Sequence, residues 1–139
     1  MVVIKVYSQD VYAAAEVSAK HTVALEKLLK LPVNSVFFIG GDASLIAKGV
    51  EQANWFTYLE VELPETLNIY RTELAEYLDR AFSDYGVHLR VKFINYDISS
   101  VVTMINPEYK VFNDIIIEVD NEYEEHYHFD ENDEDEFED

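Results

Sequence analysis

Residues 54–96, NWFTYLEVELPETLNIYRTELAEYLDRAFSDYGVHLRVKFINY, decide the fold because their pattern changes from strand to helix and back to strand. From Trp55 to Leu63, every second residue suits an apolar face, and the same two-residue period returns in Val87–Phe93. Pro64 ends the first of these segments, since proline cannot donate to a strand ladder. The stretch therefore predicts two half-buried strands joined by a helix.

The helix between the two strands is predicted from apolar residues that recur at three- and four-residue steps from Leu67 to Tyr85. Thr66 offers a hydroxyl as the N-cap. Gly86 is placed to stop the helix in a left-handed conformation.

The N-terminal half repeats this order. Val2–Tyr7 predicts a short opening strand, rich in β-branched residues. A helix follows, with Ser8 and Asp10 as alternative N-caps, and it ends near Leu31 before a proline. Ser35–Ile39 is an uninterrupted apolar run, which is typical of a strand covered on both sides.

The remaining segments carry weaker patterns. Residues 42–53 are predicted to be a loop with a turn of helix at 43–48, after the Gly40-Gly41 pair. Residues 99–105 and 111–119 are each predicted to form a short strand. The fold class that follows is α+β, with the order β-α-β-β-α-β, a four-stranded mixed sheet, two helices on one face and a C-terminal extension.

Charge is concentrated at the C-terminus. Residues 121–139 hold 11 acidic residues and no Lys or Arg, which leaves 17 acidic and 10 basic residues, a net charge of −7, for residues 1–120. We therefore predict a folded domain over 1–120 and an acidic, flexible tail over 121–139. Neither part suits nucleic acid or an anionic membrane, because both of these partners require a positive surface.

Side chains suited to metals or cofactors are few. The chain has no cysteine and no phosphate-binding glycine motif, so no cofactor is predicted. His126 and His128 stand among carboxylates and are weak candidate metal ligands, but a solvated anionic tail is the favoured interpretation of the segment. Contact with a basic protein partner is a further possible role. His21 lies at the edge of the first helix's apolar face and is predicted to be a partly buried structural histidine. With no signal-peptide pattern at the N-terminus, the expected location is the cytoplasm.

Two large groups of proteins fit this order of elements: ferredoxin-like domains and the tautomerase superfamily. The opening strand begins at the extreme N-terminus, and residues 54–96 resemble the second half of the longer tautomerase-superfamily members. The aromatic-rich third strand and the VKFI sequence of the fourth strand look most similar to an uncharacterised bacterial branch of that superfamily. The resemblance covers roughly residues 1–112.

The resemblance implies a catalytic site at the N-terminus. In that family an N-terminal proline, exposed by removal of methionine, is the general base of keto–enol isomerisation. Here Val2 occupies the position, so the defining proline is missing. The residues expected around a small-molecule pocket are Val2, Phe37 and Tyr96. The resemblance also implies a homotrimer, and burial of Phe37, Phe38 and Trp55 on an apolar sheet face opposite the helices would favour one.

Three hypotheses about function remain open from the sequence. The first is a non-catalytic or weakly active tautomerase-like protein. The second is an active keto–enol tautomerase that uses the amine of Val2, since an α-amine titrates at about 7.7–8.0 and can act as a base. The third is a ferredoxin-like binding module whose acidic tail contacts other proteins.

Overall fold

A computed structural model describes residues 1–41 and 43–109. Within those residues the strands are β1 (Val2–Val6), β2 (Val36–Ile39), β3 (Ile46–Ala47), β4 (Val50–Glu51), β5 (Phe56–Pro64) and β6 (His88–Tyr96). The helices are α1 (Val11–Leu29) and α2 (Arg71–Ala81), with 3-10 helices at Glu65–Tyr70 and Ile98–Ser100.

The main sheet has the strand order β2-β1-β5-β6. β1 pairs in parallel with β2, β5 pairs in parallel with β6, and the central β1–β5 pair is antiparallel. Each helix therefore connects two strands that are direct neighbours. A ferredoxin-like domain instead splits its β-α-β units by placing another strand between the connected pair. The predicted α+β architecture is confirmed, and the ferredoxin-like alternative is wrong.

One hydrophobic core lies between the sheet and both helices. Alternate residues of β1 and β5 point into it, and the two helices cover them from the same side. Its fully buried members include Val2, Ile4, Leu59, Val61, Leu63, Leu25, Leu74 and Leu78. Each such side chain contributes about 1.5–3 kcal/mol relative to exposure, so this layer accounts for much of the driving force for folding.

The start of α1 resolves the choice between two N-caps. The Asp10 carboxylate accepts a hydrogen bond from the Ala13 N–H at 2.9 Å, as an N-cap does. The Ser8 hydroxyl bonds β5 instead: it donates to the Phe56 carbonyl and accepts from the Tyr58 N–H. Ser8 thus joins the end of β1 to the start of β5.

The second helix begins later than predicted. After Pro64 the chain first forms the 3-10 helix, and α2 starts only at Arg71, so Thr66 is not its N-cap. Gly86 is not in the left-handed region. A Cβ at Gly86 would stand 2.9 Å from Thr57 Oγ1 and 3.0 Å from the Thr57 backbone nitrogen. Close approach to β5, rather than a left-handed stop, is therefore what glycine provides here.

Residues 43–53 form a small hairpin rather than a turn of helix. β3 and β4 pair antiparallel through Lys48 and Gly49, whose φ values are +52° and +79°. Two successive residues with positive φ define a type I′ turn, which suits the twist of a tight hairpin. The prediction of helix at 43–48 is therefore wrong.

The sheet face opposite the helices, here called the open face, is polar. It carries Lys5 and Tyr7 from β1, with Tyr58, Glu60 and Glu62 from β5. Phe38 packs on the core side, and Trp55 lies ahead of β5 with 56% of its surface exposed. The expectation of an apolar open face is wrong, because register places the acidic residues of β5 at its centre.

The chain divides into two units, Met1–Val101 and Val102–Asp139. Residues 99–105 contain no strand: the Asp97 carboxylate accepts the Ser99 N–H at 3.2 Å and starts the short 3-10 helix. The predicted strand at 111–119, the domain boundary at 120 and the acidic tail at 121–139 lie outside the described residues. Within residues 1–41 and 43–109, no helix has the length and apolarity needed to cross a membrane.

Candidate functional site

The N-terminal end of β1 brings the three predicted site residues into one neighbourhood. Val3 of β1 is in register with Phe37 of β2, which places Phe37 on the open face beside the first residues of the chain. The Tyr96 hydroxyl, at the end of β6, donates a hydrogen bond to the Met1 carbonyl at 2.5 Å. This region, defined by Met1, Val2, Phe37 and Tyr96, is called the N-terminal site below.

Val2 contributes its backbone rather than its side chain. Its side chain is completely buried in the core, on the opposite side of the sheet from Phe37. Its N–H donates to the Ser35 carbonyl at 2.8 Å, which extends the pairing of β1 with β2. While Met1 is attached, the Val2 nitrogen is an amide whose lone pair is delocalised, so it cannot act as a base.

Tyr96 provides a hydroxyl that bonds the peptide preceding Val2. Burial raises the pKa of Tyr96, and the nearby charge of Glu62 raises it further. The group therefore stays protonated at neutral pH and acts as a hydrogen-bond donor. Its acceptor, the Met1 carbonyl, belongs to the peptide that joins Met1 to Val2.

Lys5, the lysine of β1, is already paired. Lys5 Nζ lies 2.5 Å from Glu62 Oε2, and this hydrogen bond, before any other cause, raises the pKa of Lys5. A carboxylate ligand would compete with Glu62 for that ammonium. The sequence shows both residues, but only the antiparallel register of β1 and β5 brings them together.

Glu60 forms a second polar cluster on the open face, and the sequence did not reveal it. Its two carboxylate oxygens accept the hydroxyls of Tyr7 at 3.1 Å and Tyr58 at 3.2 Å. Burial, followed by the bond to Glu60, raises the pKa of Tyr7. The alternation of Tyr58 with Glu60 and Glu62 was the available signal, yet it does not identify the partner strand.

The other candidate residues lie apart from the N-terminal site. His21 Nδ1 is 2.7 Å from the Tyr77 hydroxyl, between α1 and α2, which agrees with a partly buried structural histidine. Among the described residues no cluster of His, Cys, Asp or Glu is arranged to hold a metal ion. His126 and His128 lie outside them, so the weak metal prediction for the tail is untested.

An open groove of about 400 Å³ runs between α2 and β6. Leu89, Val91 and Phe93 form its floor, while Ala75, Glu76 and Asp79 line the α2 side. Val2, Phe37 and Tyr96 do not line this groove. The groove and the N-terminal site are therefore distinct features.

Comparison with solved structures confirms the predicted resemblance at the level of the fold. A domain of unknown function from Sebaldella termitidis matches with a TM-score of 0.57 and 15% identity, over 78% of this chain and 94% of that one. A protein of unknown function from Vibrio cholerae gives 0.58 and 16%, over 73% and 83%. A macrophage migration inhibitory factor homologue from Prochlorococcus marinus gives 0.52 and 17%, over 76% and 94%.

No protein-family model and no curated protein sequence matches the chain. The fold is tautomerase-like, and the solved structures that share it include both uncharacterised domains and macrophage migration inhibitory factor homologues. At these identities the likeness defines the architecture, and activity has to be argued from the residues themselves.

Proposed function

We propose that this chain is a tautomerase-like protein with little or no catalytic activity, which binds a small molecule at the N-terminal site. The observation that carries the proposal is the residue at position 2, which is valine and not proline. Val2 stands where the family's catalytic proline would be, and its N–H is an amide donor to the Ser35 carbonyl. While Met1 is attached, this nitrogen belongs to an amide, and its delocalised lone pair cannot accept a substrate proton.

The charges around the N-terminal site support the proposal that catalysis is weak or absent. Lys5 is paired with Glu62, so the carboxylate of a keto acid would have to displace Glu62 to bind this ammonium. Phe37 supplies an apolar wall, and the Tyr96 hydroxyl supplies a donor. This combination favours a small, mainly apolar molecule that carries a hydrogen-bond acceptor.

The alternative is an active keto–enol tautomerase that uses the amine of Val2 after Met1 is removed. The position of Tyr96 favours it, because the hydroxyl would lose the Met1 carbonyl as acceptor and would lie close to the new amine. An α-amine with a pKa of about 7.7–8.0 is partly neutral at pH 7 and can accept a proton.

Intact mass and a keto–enol assay on the same sample separate these two hypotheses. The proposal expects either retained Met1 or turnover of an enol acid close to the uncatalysed rate. Val2→Pro should then gain turnover if its methionine is removed. Tyr96→Phe keeps the ring and tests whether the hydroxyl contributes to binding. Turnover by the parent chain that disappears when the α-amine is blocked would overturn the non-catalytic proposal.

A homotrimer and a cytoplasmic location belong to the same proposal. Light scattering on the full chain should give three times the 16.1 kDa chain mass. A monomer at all concentrations would contradict the trimer. A basic protein partner for residues 121–139 remains a further proposal, based on their 11 acidic residues.

A further inference from the structure

A row of four residues crosses the open face at the N-terminal site. Val3 of β1 is in register with Phe37 of β2 on one side and with Glu62 of β5 on the other. Glu62 is in turn in register with Ile94 of β6. Since neighbouring strands lie about 4.8 Å apart, the row extends over roughly 14 Å, across all four strands of the sheet. This row is called the site floor below.

Glu62 is the charged member of the site floor. The other three members are apolar, and their side chains offer a ligand no hydrogen bond. Tyr96 follows Ile94 by two residues on the same strand, and the charge of Glu62 contributes to the raised pKa of its hydroxyl. A ligand that lies across the floor and reaches Tyr96 therefore passes Glu62.

Glu62 binds the ammonium of Lys5. The distance from Lys5 Nζ to Glu62 Oε2 is 2.5 Å, and hydrogen bonds between charged groups are about twice as strong as those between neutral ones. The two residues are diagonal neighbours, since Lys5 itself is in register with Glu60. Their side chains keep 24% and 35% of their surface exposed, so a small molecule on the floor can reach the pair.

Glu60 does not share the role of Glu62 as the partner of Lys5. Its two carboxylate oxygens accept the hydroxyls of Tyr7 and Tyr58. Within residues 1–41 and 43–109, the salt bridge to Glu62 is the only one that Lys5 forms. Removal of the Glu62 charge alone would therefore leave an ammonium beside the site floor without a salt-bridge partner.

We propose that Glu62 determines which ligands the N-terminal site accepts. While Glu62 holds Lys5, the site takes an uncharged molecule with an apolar body and a carbonyl oxygen. Without the charge of Glu62, the site takes a carboxylate. The inference rests on the proposed function in one respect, the binding of a small molecule at this site, and it adds the residue that selects the class of ligand.

The energetic cost of displacing Glu62 is the basis of this selection. A carboxylate that binds Lys5 must break the existing ion pair and leave the partly buried Glu62 carboxylate without its partner. The incoming carboxylate forms one charge-assisted bond in place of another, so its net gain is small. An uncharged carbonyl compound contacts Phe37, Val3 and Ile94 without that cost.

Benzamide and benzoate have nearly the same shape and differ in charge, so together they test the proposal on the full chain. NMR titration of the backbone amides of the site floor measures both affinities. The parent chain should bind benzamide at least about tenfold more tightly than benzoate, and Glu62→Gln should reverse this preference because the freed ammonium binds the carboxylate. Glu60→Gln is the matched control: it makes the same change in net charge one row away, and the parent's preference should persist.

Lys5→Met added to Glu62→Gln should abolish the gain in benzoate affinity, because the gain depends on the ammonium. If Glu62→Gln still prefers benzamide, or if Glu60→Gln reverses the preference equally, the inference is overturned. Benzoate binding by Glu62→Gln together with no benzamide binding by the parent supports selection by Glu62 and contradicts the ligand binding in the proposed function. No binding of either molecule to any of these chains overturns both.

Discussion

Gly86 offers a sharp test of the packing between β5 and the end of α2. Replacing it with alanine places a Cβ 2.9 Å from Thr57 Oγ1 and 3.2 Å from the Phe56 carbonyl carbon. Thr57 is buried, and its hydroxyl accepts the Gln9 amide at 3.1 Å, so it cannot rotate away without breaking that bond. Its backbone belongs to the ladder between β5 and β6.

The expected loss follows from two opposing effects. Overpacking of this kind costs about 1–3 kcal/mol. Alanine also restricts the unfolded chain more than glycine does, which stabilises the folded state by about 0.4–1 kcal/mol, since the backbone of Gly86 is not left-handed. Gly86→Ala should therefore lower the free energy of unfolding by about 1–2 kcal/mol.

Urea unfolding followed by the fluorescence of Trp55, the single tryptophan, measures this change. Gly41→Ala is the matched control: a Cβ there meets no atom within 4 Å, so the free energy of unfolding should stay equal or rise by about 0.4–1 kcal/mol. Gly86→Asn distinguishes two reasons for the glycine, close approach to β5 and a left-handed backbone. Asparagine tolerates the left-handed region but is larger than alanine, so close approach predicts that it is no more stable than Gly86→Ala. The reasoning is refuted if Gly86→Ala is as stable as the parent, or if Gly86→Asn is more stable than Gly86→Ala.

Three further predictions concern the helices. Lys30 ends α1 with φ at +58°, so Lys30→Gly should raise the free energy of unfolding by about 1 kcal/mol; no gain in urea unfolding would contradict this. Glu26 is buried and accepts the Ser35 N–H at 3.1 Å, so Glu26→Ala should cost about 1–3 kcal/mol in the same assay, with Glu26→Gln losing less. Burial lowers the pKa of His21, so the unfolded state binds the proton more readily, and stability should fall as the pH drops through about 6.5. His21→Gln should not show this fall in the free energy of unfolding between pH 7 and 5.5. If the parent and His21→Gln have the same pH profile, His21 is not the cause.

The order of elements was predictable because periodicity is a local property. The two-residue period of β5 and β6 shows which of their side chains are buried, and so do the three- and four-residue steps of α2. Each pattern can be read within one segment. Asp10 as an N-cap is local in the same sense, since its carboxylate bonds a backbone N–H three residues ahead. These local features predict the order β-α-β-β-α-β.

The candidate site was predictable only in part. The position of Val2 at the start of the chain pointed to the N-terminal end of β1, but the sequence did not show that its side chain enters the core while its nitrogen bonds Ser35. The pairing of Lys5 with Glu62 depends on which residues of β1 and β5 stand opposite each other. Register arises from contacts between distant segments, so neither strand encodes it alone.

The sequence by itself determined the four strands of the main sheet, the two long helices, the apolar layer between them and the absence of a proline at position 2. Tertiary structure alone decided that each helix joins neighbouring parallel strands, that the open face is polar and that Gly86 makes room for Thr57. The physical reason is the range of the interactions. Hydrophobic periodicity acts within one segment, whereas sheet order, ion pairs and close backbone contacts exist only after segments far apart in the chain have met.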